Sequence, residues 1–151
     1  MRQIDTQAYI SALRDVVNEG HDVSLIISGS SMAPFLVHHR DSILIGKPTE
    51  PLKRGDMVFY QRTTGQFVMH RIRRVRKEGL YIIGDAQTET EGPVKPEQVF
   101  AIVKKVQRKG KWIGPEDKWW KFFATVWLRV IPLRRVILRG MGIAKTILRP
   151  L

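Results

Sequence analysis

The sequence predicts a mainly β protein: a compact, coiled antiparallel sheet or partly closed barrel, with a short N-terminal helix and a C-terminal amphipathic helical segment. Three observations predict it. Between residues 23 and 107, six short β-branched or aromatic runs are separated by Gly, Pro and charged turns. Before them, apolar residues recur at helical spacing. After residue 110 the composition shifts to Trp and Phe interleaved with Lys and Arg. The chain thus divides into an N-terminal helix (1–22), a β domain (23–109) and a basic, Trp-rich tail (110–151), and at 151 residues it is long enough for one sizeable core.

The first helix is expected over 5–18. Asp5 or Thr6 can cap it, Ile10, Leu13, Val16 and Val17 share a face, and Gly20 follows its end. Its expected role is to pack against the sheet. Strands are expected at Val23–Ile27, Ser42–Ile45, Met57–Gln61, Phe67–Val75, Leu80–Ile83 and Val99–Val106, with a hairpin turn at Thr64-Gly65. Residues 84–94 read as a polar loop that Gly92-Pro93 closes, and 110–115 as a hinge.

Glu116 and Asp117 then place negative charge where a helix N-terminus favours it. Trp119, Phe122, Phe123, Val126, Trp127 and Val130 fall on one face, opposite Lys118, Lys121, Thr125 and Arg129. Pro132 interrupts the pattern, which resumes with Leu133, Val136, Ile137, Met141, Ala144 and Ile147 or Leu148, flanked by Arg134, Arg135, Arg139, Lys145 and Arg149. Amphipathic helices most often cover their own core. Here the absence of any acid after Asp117 favours an interfacial helix pair.

The formal net charge is +12, and residues 118–151 contribute eight Lys or Arg. So basic a chain suits an anionic partner, and interleaved aromatic rings favour a membrane surface over nucleic acid. No apolar run reaches the roughly 20 residues that a spanning helix needs. Residues 1–18 carry no apolar core of an export signal, so attachment is expected to be peripheral, through the tail, and on the cytoplasmic side. There is no cysteine, and the four histidines do not form a metal-ligand set, so no metal or organic cofactor is expected. His38 and His39 are adjacent and read as part of a polar loop.

Chemistry concentrates in Ser28-Gly29-Ser30-Ser31-Met32-Ala33-Pro34-Phe35-Leu36, which follows the first strand. Gly29 lets the chain turn sharply, and Pro34 fixes the exit, so a serine is presented at a strand end among free backbone N–H groups. A serine hydroxyl needs a neighbouring base at neutral pH, and His70, inside the strand Phe67-Val68-Met69-His70-Arg71-Ile72, is the candidate. With an unperturbed pKa near 6.5 it would make activity rise between about pH 6 and 8.

Ser-Met-x-Pro after a Gly, then Arg54-Gly55-Asp56 and a strand, then Val68-Met69-His70-Arg71, then Gly84-Asp85, resembles the type I signal peptidase superfamily. Within it, the pattern resembles the Ser/His branch of endoplasmic-reticulum, archaeal and sporulation-type signal peptidases. The likeness covers roughly residues 23–107, and the order of four motifs makes it more specific than any single one. It implies that fold, Ser31 as nucleophile, His70 as general base, and a peptide substrate bound as an extended strand at the sheet edge. It also implies an acid that supports the base. Asp85 matches the opening Gly-Asp, and Glu91 stands near the later position where the pattern has Asp, so both remain candidates. Ser30 could assist the oxyanion, and Met32 and Phe35 could line the substrate groove. The signal peptidases that these motifs resemble generally carry a transmembrane anchor, and the absence of an apolar run of spanning length among these residues is a departure from them.

The expected function is therefore cleavage of signal or leader peptides by a serine endopeptidase at a membrane surface. The rival is an inactive module of the same fold that binds membrane or nucleic acid through its tail. A repressor-type autoprotease is disfavoured, because His70 stands where that class uses Lys and no DNA-binding segment precedes the domain.

Overall fold

The computed structural model describes residues 3–49 and 51–140. Helix α1 (Gln3–Asn18) precedes strands β1 (Val23–Ile26), β2 (Ser42–Gly46), β3 (Met57–Gln61), β4 (Phe67–Arg76), β5 (Gly79–Ile83), β6 (Glu91–Val94), β7 (Val99–Arg108) and β8 (Lys111–Ile113). Helices α2 (Lys118–Ala124), α3 (Val126–Arg129) and α4 (Arg134–Gly140) follow. The strands form one open antiparallel sheet in the order β1-β2-β7-β3-β4-β5-β6, with β8 added on β7.

Long β7 makes this topology possible. Ile102 is registered with both Gly46 and Val58, so β2 lies on one side of β7 and β3 on the other. Further along, Val106 to Arg108 take β8 on the side that β3 has left. Register shifts between Leu44 and Ile45, Phe59 and Tyr60, Ile72 and Arg74, and Leu80 and Ile82 bend and twist the sheet. A coiled open sheet, the first of the two expected forms, is the result.

Strands β6 and β8 fall where the sequence suggested a loop and a hinge. Both are short and pair through backbone groups, and Gly92 and Pro93 within β6 are poor strand formers that only the neighbouring β5 recruits. Their side-chain pattern carries no period-2 signal for sequence reasoning to find.

The sheet buries both faces. One carries Val58, Tyr60, Ile72, Leu80, Ile82 and Val94. The other carries Met57, Phe59, Phe67, Ala101 and Val103, covered by Val17 of α1, by Phe35 and Leu36, and by Trp120, Phe123 and Trp127. One face of the tail within the described residues is therefore part of the core. Asp117 caps α2, its Oδ1 accepting from the N–H groups of Trp119 (2.8 Å) and Trp120 (3.2 Å). The expected single helix before Pro132 is broken at Thr125, whose hydroxyl donates to the Lys121 carbonyl instead of continuing the ladder. The last expected positions, Met141, Ala144, Lys145, Ile147, Leu148 and Arg149, lie outside the described residues.

Candidate active site

Ser31 is placed by its backbone. Gly29, at φ +96°, turns the chain out of β1 in a conformation that suits glycine, and its N–H donates to His38 Nδ1 at 2.7 Å. His38 stacks on His39 in this loop, as an expected polar loop pair, and no cluster that could hold a metal occurs among the described residues. Two residues on, the Ser31 carbonyl accepts from the Ala86 N–H at 2.8 Å, which ties the serine loop to the turn after β5. The Ser31 N–H donates to no group among the described residues.

The sheet register brings His70 close to the same turn. Arg71 on β4 is paired with Ile83, the last residue of β5, so His70 and Gly84 each lie one residue beyond the end of that ladder. A Cβ on Gly84 would lie 2.6 Å from the Ser31 carbonyl oxygen. The backbone of Ser31 thus fills the space that a side chain at residue 84 would take. Only glycine permits that approach.

His70 is 5% exposed, and its Nδ1 is buried with no hydrogen-bond partner among the described residues. Burial pushes its pKa down from 6.5 to about 4, with Glu91 opposing that shift and Arg62 adding to it. The imidazole is neutral at physiological pH, the form a general base requires. Proton linkage then has a definite sign. The unfolded chain takes up the His70 proton first, so the associated stability is complete above about pH 6.5 and lost as pH falls to about 4, an effect of about 3 kcal/mol. Thermal melts between pH 7 and 4 should show this loss in the wild type and a shallower one in His70→Gln.

The two candidate acids have separate partners. Asp85 is fully buried, and its two oxygens accept from Arg71 Nε (2.8 Å) and Nη2 (2.9 Å). Arg71 also donates from Nη1 to the Gly55 carbonyl (2.9 Å), and its guanidinium lies 5.4 Å from the Phe35 ring. The Asp85 carboxylate is therefore committed to Arg71, on the face of β4 opposite His70. Glu91 holds Arg62 bidentately, at 2.6 to 3.2 Å, and is the acid whose charge acts on His70. The same carboxylate, after burial, helps to raise the pKa of buried Tyr60.

Ser30 is half-buried at the surface of the loop. Met32 (2% exposed) and Phe35 (fully buried) belong to the core instead of a substrate groove, Phe35 lying 5.0 Å from the Phe123 ring and edge-on to Trp120. In this arrangement they support the serine loop from beneath. A concavity of about 580 Å³ lined by Arg14, Gln61, Arg62 and Phe100 includes neither Ser31 nor His70.

Sequence reasoning missed Gly84, Arg71, Trp127 and Arg134. Arg71 carried a usable signal, since a cation inside the apolar run Val68–Ile72 demands a buried acid. Arg134 carried none, being one of several cations along the tail.

A family model described as Peptidase S24-like matches residues 2–107. The chain belongs to the Peptidase S24-like family. Comparisons with curated proteins and with solved structures give no match. The S24-like region runs from α1 into β7 and includes Ser31, His70, Gly84 and Glu91, so the fold is of serine-peptidase type. Strand β8 and helices α2 to α4 lie beyond the S24-like match.

Proposed function

We propose that this S24-like chain is a serine endopeptidase that cleaves signal or leader peptides, with Ser31 as nucleophile and His70 as general base. The observations that support this reading are the packing of the Ser31 backbone on Gly84, at the end of the β5 strand that pairs with β4, and the unpartnered buried nitrogen of His70 on β4. His70 takes the Ser31 Oγ proton as oxygen attacks the peptide carbonyl, and returns it to the leaving amine. The free Ser31 N–H is the candidate donor to the developing oxyanion. Glu91 opposes the downward pull of burial on His70, so its charge favours the imidazolium formed during attack. Asp85 acts through Arg71 on the framework of the site.

Strand β1 pairs only with β2 among the described strands and runs directly into the serine loop. Its free edge suits a substrate that adds as an extended strand. Purified protein incubated with secretory leader peptides should release fragments cut after small side chains, detected by mass spectrometry. A protein that leaves every such peptide intact, yet binds them, would be the inactive module of the same fold.

With the His70 pKa at about 4, the cleavage rate should rise with pH around 4 and be flat from 6 to 8, unlike the rise expected from an unperturbed imidazole. Glu91→Gln should move that rise to lower pH.

Peripheral membrane association is part of the same proposal. Trp119, Val126, Leu133, Val136 and Ile137 are exposed among Lys and Arg side chains, while no described helix is long and apolar enough to cross a membrane. Full-length protein should float with anionic vesicles at low salt and less so at high salt. Leu133→Ser with Val136→Ser should reduce flotation while leaving the melting temperature within a few degrees of the wild type, since these are the most exposed of the five side chains. Retained flotation of that variant would remove this face from the interaction.

A further inference from the structure

The C-terminal helices reach into the turn that holds Ser31. Trp127 of α3 donates from Nε1 to the Asp85 carbonyl at 2.6 Å. Arg134, at the start of α4, is fully buried and donates from Nη1 to the carbonyls of Gly84 (3.0 Å) and Gln87 (2.9 Å). The Arg134 guanidinium also grips α3, with Nε and Nη2 on the Trp127 carbonyl at 3.3 and 3.0 Å, and it lies 5.2 Å from the Trp127 ring. Three carbonyls of one four-residue turn are thus satisfied by the tail, and the same turn presents the Ala86 N–H to Ser31.

A buried cation is costly unless its donors are used, and Arg134 spends four hydrogen bonds here. Burial lowers its pKa to about 10, which leaves it charged at neutral pH. A polar core of this kind has little adaptability, because moving the turn would strand both the cation and the carbonyls. Within the turn, the Gln87 N–H bonds the Gly84 carbonyl at 3.0 Å, and the Gln87 side chain accepts from the Gly84 N–H at 2.9 Å. The turn is closed by its own hydrogen bonds and joined to the tail by Trp127 and Arg134.

We infer that the tail beyond the S24-like region is a positioning element of the active site: Trp127 and Arg134 set turn 84–87, and through Ala86 they hold the Ser31 loop in place. The inference rests on the proposed peptidase reading for its catalytic consequence, while its structural part stands apart from it. Neither residue touches the reacting atoms. Each acts through the turn.

Trp127→Phe removes the indole donor and keeps a ring in the core. In the full-length variant, hydrogen exchange at the Ala86 amide and in residues 29–33 should accelerate at least tenfold, with β7 remaining as protected as in the wild type. Arg134→Met should give the same local pattern with a larger effect. Unchanged exchange in residues 29–33, or equal acceleration throughout the sheet, would overturn the inference.

A fluorophosphonate that labels activated serines provides the catalytic readout. Labelling of Ser31 should slow at least tenfold in Trp127→Phe, and peptide cleavage should lose kcat with KM unchanged. Wild-type labelling rates in a variant whose serine loop has loosened would also overturn the positioning role. Absence of labelling in the wild type would count against the peptidase reading alone, because the exchange experiment decides the structural link separately.

Discussion

Ser31→Ala is expected to reduce peptide cleavage by at least about 10³-fold, since removing the nucleophile of a serine peptidase leaves only binding and oxyanion stabilisation. Its fold should be untouched. Ser31 is held by its carbonyl, which an alanine retains, and no protein group bonds its hydroxyl among the described residues. The melting temperature should therefore stay within about 1–2 °C of the wild type, as for other changes that remove no buried contact. Ser30→Ala is the matched control. Full activity in Ser31→Ala with loss in Ser30→Ala would move the nucleophile by one residue, and the Ala86 contact would then fix the wrong serine.

The second large effect concerns stability. Asp85→Ala should destabilise the protein by about 3–5 kcal/mol, the usual consequence of leaving one partner of a buried ion pair uncompensated. Arg71 would keep only the Gly55 carbonyl as acceptor, at a site with no exposure to water. For a chain of this size the melting temperature should fall by roughly 6–20 °C. Replacing both partners, as Arg71→Met with Asp85→Leu, should recover much of the loss, because desolvation of the pair is then removed with its attraction. A stable Asp85→Ala protein with severely reduced turnover would instead make Asp85 the acid that orients His70. Placing it on Arg71 would then be incorrect.

Much of the architecture was written in local patterns. The strand runs from Val23 to Val106, the end of α1, the Gly29 turn and the acidic cap of α2 each depend on neighbouring residues and are found where expected, whereas α1 begins at Gln3, ahead of the expected caps Asp5 and Thr6. Ser31 and His70 could be proposed as a pair from the sequence because their motifs are short and self-contained. The match to the Peptidase S24-like family covers the same region.

Contacts between distant segments were not legible. Phe35 and Met32 looked like groove residues next to a serine, and burial by α2 and α3, some 85 positions later, makes them core. The value of the His70 pKa depends on how much water the fold removes and on the nearby Glu91 and Arg62 charges, neither of which sequence spacing records.

By itself, then, the sequence determined the β class, the strand positions and the identity of the two residues proposed for chemistry, because backbone preference and motif spacing act over a few residues. Only the tertiary structure decided that Asp85 belongs to Arg71, that Glu91 acts on His70, and that one face of the tail, within the described residues, lies inside the core. Those outcomes depend on which charges and carbonyls meet when water is excluded. Arg134 is the clearest instance: in the sequence it is one more cation on a polar face, and in the fold it is a buried guanidinium bonded to Gly84, Gln87 and Trp127.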